Sequence, residues 1–169
     1  MNDLDSVWEN LLTEAAGQVA SEGLLADFLA VKTANDQLRE HGVGQLLAAF
    51  EKIAGHANRN DARITIETID RHRFEFENFH VSGRAVKFRQ GVRCLSVEAG
   101  WTRSPRDGFM RGNALAVARI SHFGLPLAGH DLRLLRFEDS VGWFRLNPDD
   151  LRVSFELDDM LEHFRKFLG

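Results

Sequence analysis

The residues with the greatest chemical potential lie in the run WTRSPRDGFMRG, residues 101–112. Arg103, Arg106 and Arg111 each carry a planar guanidinium that can grip a carboxylate or phosphate with two parallel hydrogen bonds. Trp101 and Phe109 add aromatic faces on which a base or ring can stack. Ser104-Pro105-Arg106-Asp107 suits a type I turn, with Pro at its second position. The connection is long for a hairpin, and long loops often carry binding residues. The expected binding set is Trp101, Arg103, Arg106, Phe109 and Arg111. Lys87, Arg89 and Arg93, just upstream, are candidates to extend it. The competing expectation is a solvated loop whose Phe109 and Met110 fold back onto the core.

Other reactive side chains point less clearly to chemistry. His72 and His80 are eight residues apart, as are His122 and His130. Eight residues of strand span about 26 Å, whereas a metal needs ligands within about 2.0–2.2 Å. Neither pair can share a metal along one strand, and a cross-strand combination such as His80 with His122 is open but unsupported, so the histidines are expected to be surface or hydrogen-bonded groups. Cys94 sits beside Arg93, but strand neighbours point to opposite faces, so the cation is not aimed at the thiol. Ser121 and His122 diverge for the same reason. The pairs Asp149-Asp150 and Asp158-Asp159 fall where a turn and a helix begin, places that favour Asp for backbone hydrogen bonding alone. There is no GxGxxG, P-loop, GxSxG, HExxH or CxxC motif. No catalytic residue, metal site or cofactor is therefore expected.

Composition narrows the setting. The chain has 169 residues, 44% of them hydrophobic, enough for one folded domain with a sizeable core. Thirteen Phe and three Trp occur without a Tyr, an aromatic load suited to a core. One cysteine excludes an intrachain disulfide and fits a reducing cytoplasm. Arginine supplies most of the basic residues, a bias common in GC-rich bacterial genes. The first residues lack the basic and apolar regions of a secretory signal, and no apolar run reaches the roughly 18 residues of a membrane span. The net charge of −4 is unevenly distributed. Residues 83–120 carry eight basic and two acidic side chains, while residues 1–70 carry five basic and twelve acidic. Such a cationic band attracts phosphate, an acidic partner or the chain's own acidic helices.

These groups need a scaffold, and hydrophobic periodicity supplies its outline. Leu4, Val7, Trp8, Leu11, Leu12, Ala15 and Val19 recur at helical spacing. Ser6 or Asp5 is placed to cap that helix. Two further helical patterns follow up to residue 57, divided by Gly42 and Gly44 and closed by Gly55. From residue 62 the period becomes two. Phe74 and Phe76 share a parity that Phe79 and Val81 do not, which predicts a bulge near Glu77-Asn78. Ser82-Gly83 and Gln90-Gly91 are expected to turn.

The expected architecture is α+β: N-terminal helices over about 1–57, a curled antiparallel meander of about eight strands over 62–157, and a short C-terminal helix over 158–169. That last helix is expected to start at Asp159, with Glu162 in a capping box and Met160, Phe164 and Phe167 docking on the sheet. The leading functional expectation is a non-catalytic interaction or assembly protein that binds an acidic or phosphate-bearing protein partner through the arginine loop. The alternatives are a small-ligand protein or enzyme with an apolar pocket between sheet and helices, and a nucleic-acid-binding module, which an isoelectric point near 6.0 disfavours. No membrane association is expected, and a homodimer is a further option.

Overall fold

A computed structural model describes residues 3–169 of the chain, with side chains from residue 10 onward. The expected stripe residues Leu4, Val7 and Trp8 and the expected Asp5 or Ser6 cap lie outside the described side chains. The fold is α+β. A long helix, α1 (Asp3–Arg59), precedes seven strands: β1 (Thr65–Phe76), β2 (Phe79–Gln90), β3 (Arg93–Trp101), β4 (Ala116–His122), β5 (His130–Phe137), β6 (Ser140–Leu146) and β7 (Arg152–Ser154). A second helix, α2 (Leu157–Leu168), ends the chain. Each strand pairs antiparallel with the next, in the order β1 to β7, and the sheet stays open. The chain divides into two compact units, residues 1–37 and 38–169.

In the first unit α1 is a bare helix. Leu11, Leu12, Val19, Leu24, Leu25, Phe28, Leu29 and Val31 are each between 51% and 71% exposed. Residues 1–37 carry seven acidic side chains and one lysine. None of the described helices is long and apolar enough to cross a membrane.

In the second unit the helix continues without a break through Gly42 and Gly44, against the expectation of separate helices. Gly42 is there for proximity. A Cβ at that position would lie 2.5 Å from Leu134 Cδ2, and the Gly42 carbonyl accepts a hydrogen bond from Trp143 Nε1 at 3.1 Å. Val43, Leu46, Leu47, Phe50 and Ala54 form the buried stripe of this segment. They meet Val86, Phe88, Leu95, Val97, Ile120, Leu132 and Leu134 on the inner face of the sheet. Phe164 and Phe167 of α2 complete the core, with the Phe50, Phe88 and Phe164 rings 5.3–6.4 Å apart by centroid. Each buried Phe contributes roughly 1.5–3 kcal/mol through area removed from water.

The change of parity in the Phe-rich strands has a different origin from the one expected. Glu77 and Asn78 are the two-residue turn of a hairpin, with Phe76 opposite Phe79. The bulge lies upstream, between Ile69 and His72 in β1. Its extra residue flips every later side chain to the other face. Ile66 pairs with the inward Phe88, whereas Phe74 pairs with Val81. Phe76, Phe79, Val81 and Val117 make a second small cluster on the outer face, against which Phe74 and Met110 pack. Ser82-Gly83 is not a turn but the middle of β2, which is why seven strands appear rather than eight. Gln90 likewise belongs to β2, and the reversal falls at Gly91-Val92.

The C-terminal helix begins two residues earlier than expected. Asp159, rather than Glu162, folds back to the start, accepting a hydrogen bond from the Glu156 N–H at 2.9 Å. Glu162 pairs instead with Lys166, 3.0 Å away on the next turn. The predicted stripe docks on the sheet as expected: Phe164 and Phe167 are buried and Met160 packs beside them.

Candidate functional site

The loop between β3 and β4 is tied down at its centre. Asp107 closes a short 3-10 turn (Pro105–Asp107) and is buried. Its Oδ2 accepts the Arg103 and Ser104 backbone N–H groups, both at 3.0 Å, and Oδ1 accepts Arg73 Nη2 at 2.8 Å. The Arg103 N–H and the other donors around it hold the Asp107 carboxyl below its ordinary range. Replacing Asp107 with Ala is expected to release these donors. Amide exchange at Arg103 and Ser104 should then rise at least about tenfold while the core amides stay protected, as local opening predicts. Unchanged exchange would show that the turn holds without its carboxylate.

The five expected binding residues take different positions. Trp101 is buried in the main core. The Arg103 guanidinium lies 3.7 Å from the centre of its ring and also donates to the Ser82 carbonyl at 3.3 Å. Arg106 and Arg111 are exposed, and Phe109 is 80% exposed. Met110 folds back as the competing expectation had it, but Phe109 does not. Arg111 lines a cleft of about 500 Å³ together with Arg133, Arg152, Glu77 and Asp150. Arg133 bonds to Glu77, and Arg111, Arg152 and Asp150 line the same cleft. Lys87, Arg89 and Arg93 line a separate cleft, near the β2–β3 turn.

A second constellation was not foreseen. His122 on β4, His130 on β5 and His163 on α2 form one hydrogen-bonded chain. His122 Nε2 is 2.8 Å from His163 Nδ1, and His163 Nε2 is 2.9 Å from His130 Nδ1. Arg145 Nη1 lies 3.3 Å from His130 Nε2. A guanidinium can only donate, so His130 Nε2 accepts and its proton sits on Nδ1. That proton points to His163 Nε2, whose own proton sits on Nδ1 and points to His122 Nε2. One donor therefore fixes the tautomer of three rings, so the chain runs from Arg145 to His122.

Burial keeps these rings neutral. His163, 2% exposed, has its pKa lowered to about 3, first by burial and then by His130 and His122. His122 and His130 are lowered chiefly by burial as well. No group of three or more His, Cys, Asp or Glu side chains among the described residues is arranged to hold a metal. A signal for this chain was present in the sequence. Ala116, Ala118, Ile120 and His122 share one parity, which places His122 on the core face with the apolar residues. The partner on α2, forty-one residues away, has no local signature.

Fold and site together define an α+β protein with an open seven-stranded antiparallel meander, arginine-bearing clefts and a histidine chain whose His122 and His163 are buried and whose His130 is half-buried. No family model matches this chain, and neither the curated proteins nor the solved structures contain a match to it.

Proposed function

We propose that this chain is a non-catalytic interaction or assembly protein that engages a partner protein. The observation that carries the reading is the bare helix over residues 10–37. Eight large apolar side chains there are more than half exposed, a loss of burial that a partner helix would recover. The acidic character of residues 1–37 favours a partner helix with a cationic border. A second copy would set acid against acid. The arginine loop then serves as a second contact. Arg106, Arg111 and the Arg152 cleft suit an acidic or phosphorylated protein segment. Arg103 and Trp101 support the loop from beneath. The single cysteine and the arginine bias are consistent with a bacterial cytoplasmic setting. The apolar-pocket alternative has less support, because Phe50, Phe88 and Phe164 fill the space between sheet and helices.

Two variants separate the contacts. Leu25→Glu with Phe28→Glu should weaken binding of a helical leucine–lysine peptide by at least about tenfold, the loss expected when apolar anchors go. Arg106→Ala with Arg111→Ala should leave that peptide bound and weaken capture of a polyglutamate or phosphoserine peptide. Stability should change by less than about 0.5 kcal/mol in the arginine variant, since both side chains are exposed. Sedimentation of the wild-type chain as a dimer that the glutamate variant dissolves would replace the partner with a second copy. Single-strand DNA binding that persists near physiological salt would favour the nucleic-acid reading.

A further inference from the structure

The outer face of the sheet carries a cationic cleft of about 640 Å³ near the β2–β3 turn, separate from the arginine loop. Strand register assembles it. Lys87 on β2 lies opposite Ser96 on β3, and Ser96 lies opposite Ser121 on β4. In the next row Arg89 lies opposite Cys94. These five side chains share one face, because each is opposite in parity to the core residues Phe88, Leu95 and Ile120. The face therefore offers an ammonium, a guanidinium, two hydroxyls and a thiol.

The lining contains no carboxylate, although the chain as a whole is acidic. Glu67, outside the lining, stands 3.7 Å from Arg89, and both are about half exposed. A contact of that kind is weak and easily exchanged for a better acceptor. Elsewhere on the outer face the cations are matched more closely: Arg119 bonds to Asp131 at 2.9 Å and Arg133 bonds to Glu77. Cation and hydroxyl donors lining one cleft, with Glu67 as an exchangeable carboxylate at its edge beside Arg89 and opposite Lys87, are what a small oxyanion requires.

We propose that this cleft binds a small oxyanion of the phosphate or phosphate-monoester class, with Lys87 and Arg89 supplying charge and Ser96 and Ser121 supplying hydroxyl donors. The site is independent of the partner contacts described above. Cys94 is half-buried in its lining, 3.7 Å from the Ser96 hydroxyl, and is the chain's single cysteine. It serves as a built-in reporter.

The test is the rate at which iodoacetamide alkylates Cys94 in the full chain, with inorganic phosphate titrated at constant ionic strength against chloride. Phosphate is expected to slow the reaction saturably, by about fivefold, because thiol reactivity follows exposure and thiolate character. Lys87→Ala with Arg89→Ala should abolish the protection while the chain remains folded by circular dichroism. Should that pair disturb the sheet, Lys87→Met alone should weaken the protection in the same direction. Equal rates in phosphate and chloride, or full protection surviving in the folded double variant, would overturn the proposal. Protection by single-stranded DNA or a phosphopeptide without protection by phosphate would overturn it too, in favour of a macromolecular polyanion.

Discussion

Urea unfolding at pH 5 is expected to show the globular unit less stable than at pH 7.5 by about 2 kcal/mol from His163 alone. In the unfolded chain a histidine takes up its proton near pH 6.5. In the folded chain His163 refuses it until about pH 3, chiefly because it is buried. Between those values the unfolded state holds a proton that the folded state lacks, so acid favours unfolding. The contribution is complete above pH 6.5 and drains away as the pH falls through this window. His122 and His130 are lowered in the same direction and add to the loss. The surrounding charges are mixed: Lys166 and Arg145 disfavour protonation, while Glu162 and Asp159 favour it. Glu162 and Asp107, both held below their ordinary values, add acid sensitivity only at lower pH. His163→Leu should be less stable at pH 7.5, having left two ring nitrogens without their partner, yet should vary less between pH 7.5 and pH 5. Identical unfolding midpoints for the wild-type chain at the two pH values would refute the assignment of a neutral buried chain.

The second large effect lies at the crossing of β2 and β3. Gly83 and Gly100 are directly opposite each other. A Cβ on Gly83 would stand 1.9 Å from the Ala99 carbonyl oxygen and 2.6 Å from the Gly100 Cα. Both obstacles are backbone, so no side chain can swing aside. Gly83→Ala must therefore part the two strands or shift their register, at a cost of about 3 kcal/mol or more, the upper end of overpacking effects. Thermal unfolding should show a fall in Tm of more than about 5 °C for a unit of this size. A neutral Gly83→Ala would mean that the strands are not this close in solution. Gly55→Ala is the control, since nothing lies within 4 Å of a Cβ there. Ala is the better helix former, so that variant should be neutral or slightly stabilising.

The same two strands show where sequence reasoning succeeds and where it stops. Alternation located the sheet, its antiparallel order and the apolar stripe of α2, because these depend on periods of two and of about 3.6. It misplaced the reversals. Gly83 resembles a turn residue by type, but its backbone is extended and its small size serves a neighbour that is sixteen positions away in the chain. Gly42 resembles a helix breaker for the same reason, and serves Leu134. A glycine that makes room for another element looks, locally, like one that bends its own. The arginine loop was visible because its residues are contiguous. The division of labour within it was not: Arg103 lies over Trp101, while Arg111 lines a cleft shared with Arg133 and Arg152. The histidine chain is not legible in this way: pairs along one strand are too far apart, and nothing in the sequence marks which rings meet across strands. It exists because α2 returns across the sheet and brings a third ring between the other two.

The bulge in β1 has a consequence beyond turning Phe74 outward. An open sheet leaves two rims of unsatisfied backbone, and a flat rim invites the rim of another molecule to join it. At one rim the extra residue between Ile69 and His72 breaks the ladder, and Glu67, Asp70, Arg71, Arg73 and Glu75 charge its length. At the other, β7 has only three residues. Stacking copies rim to rim would have to bury charge on one side and find little to hold on the other, a built-in resistance to fibril growth.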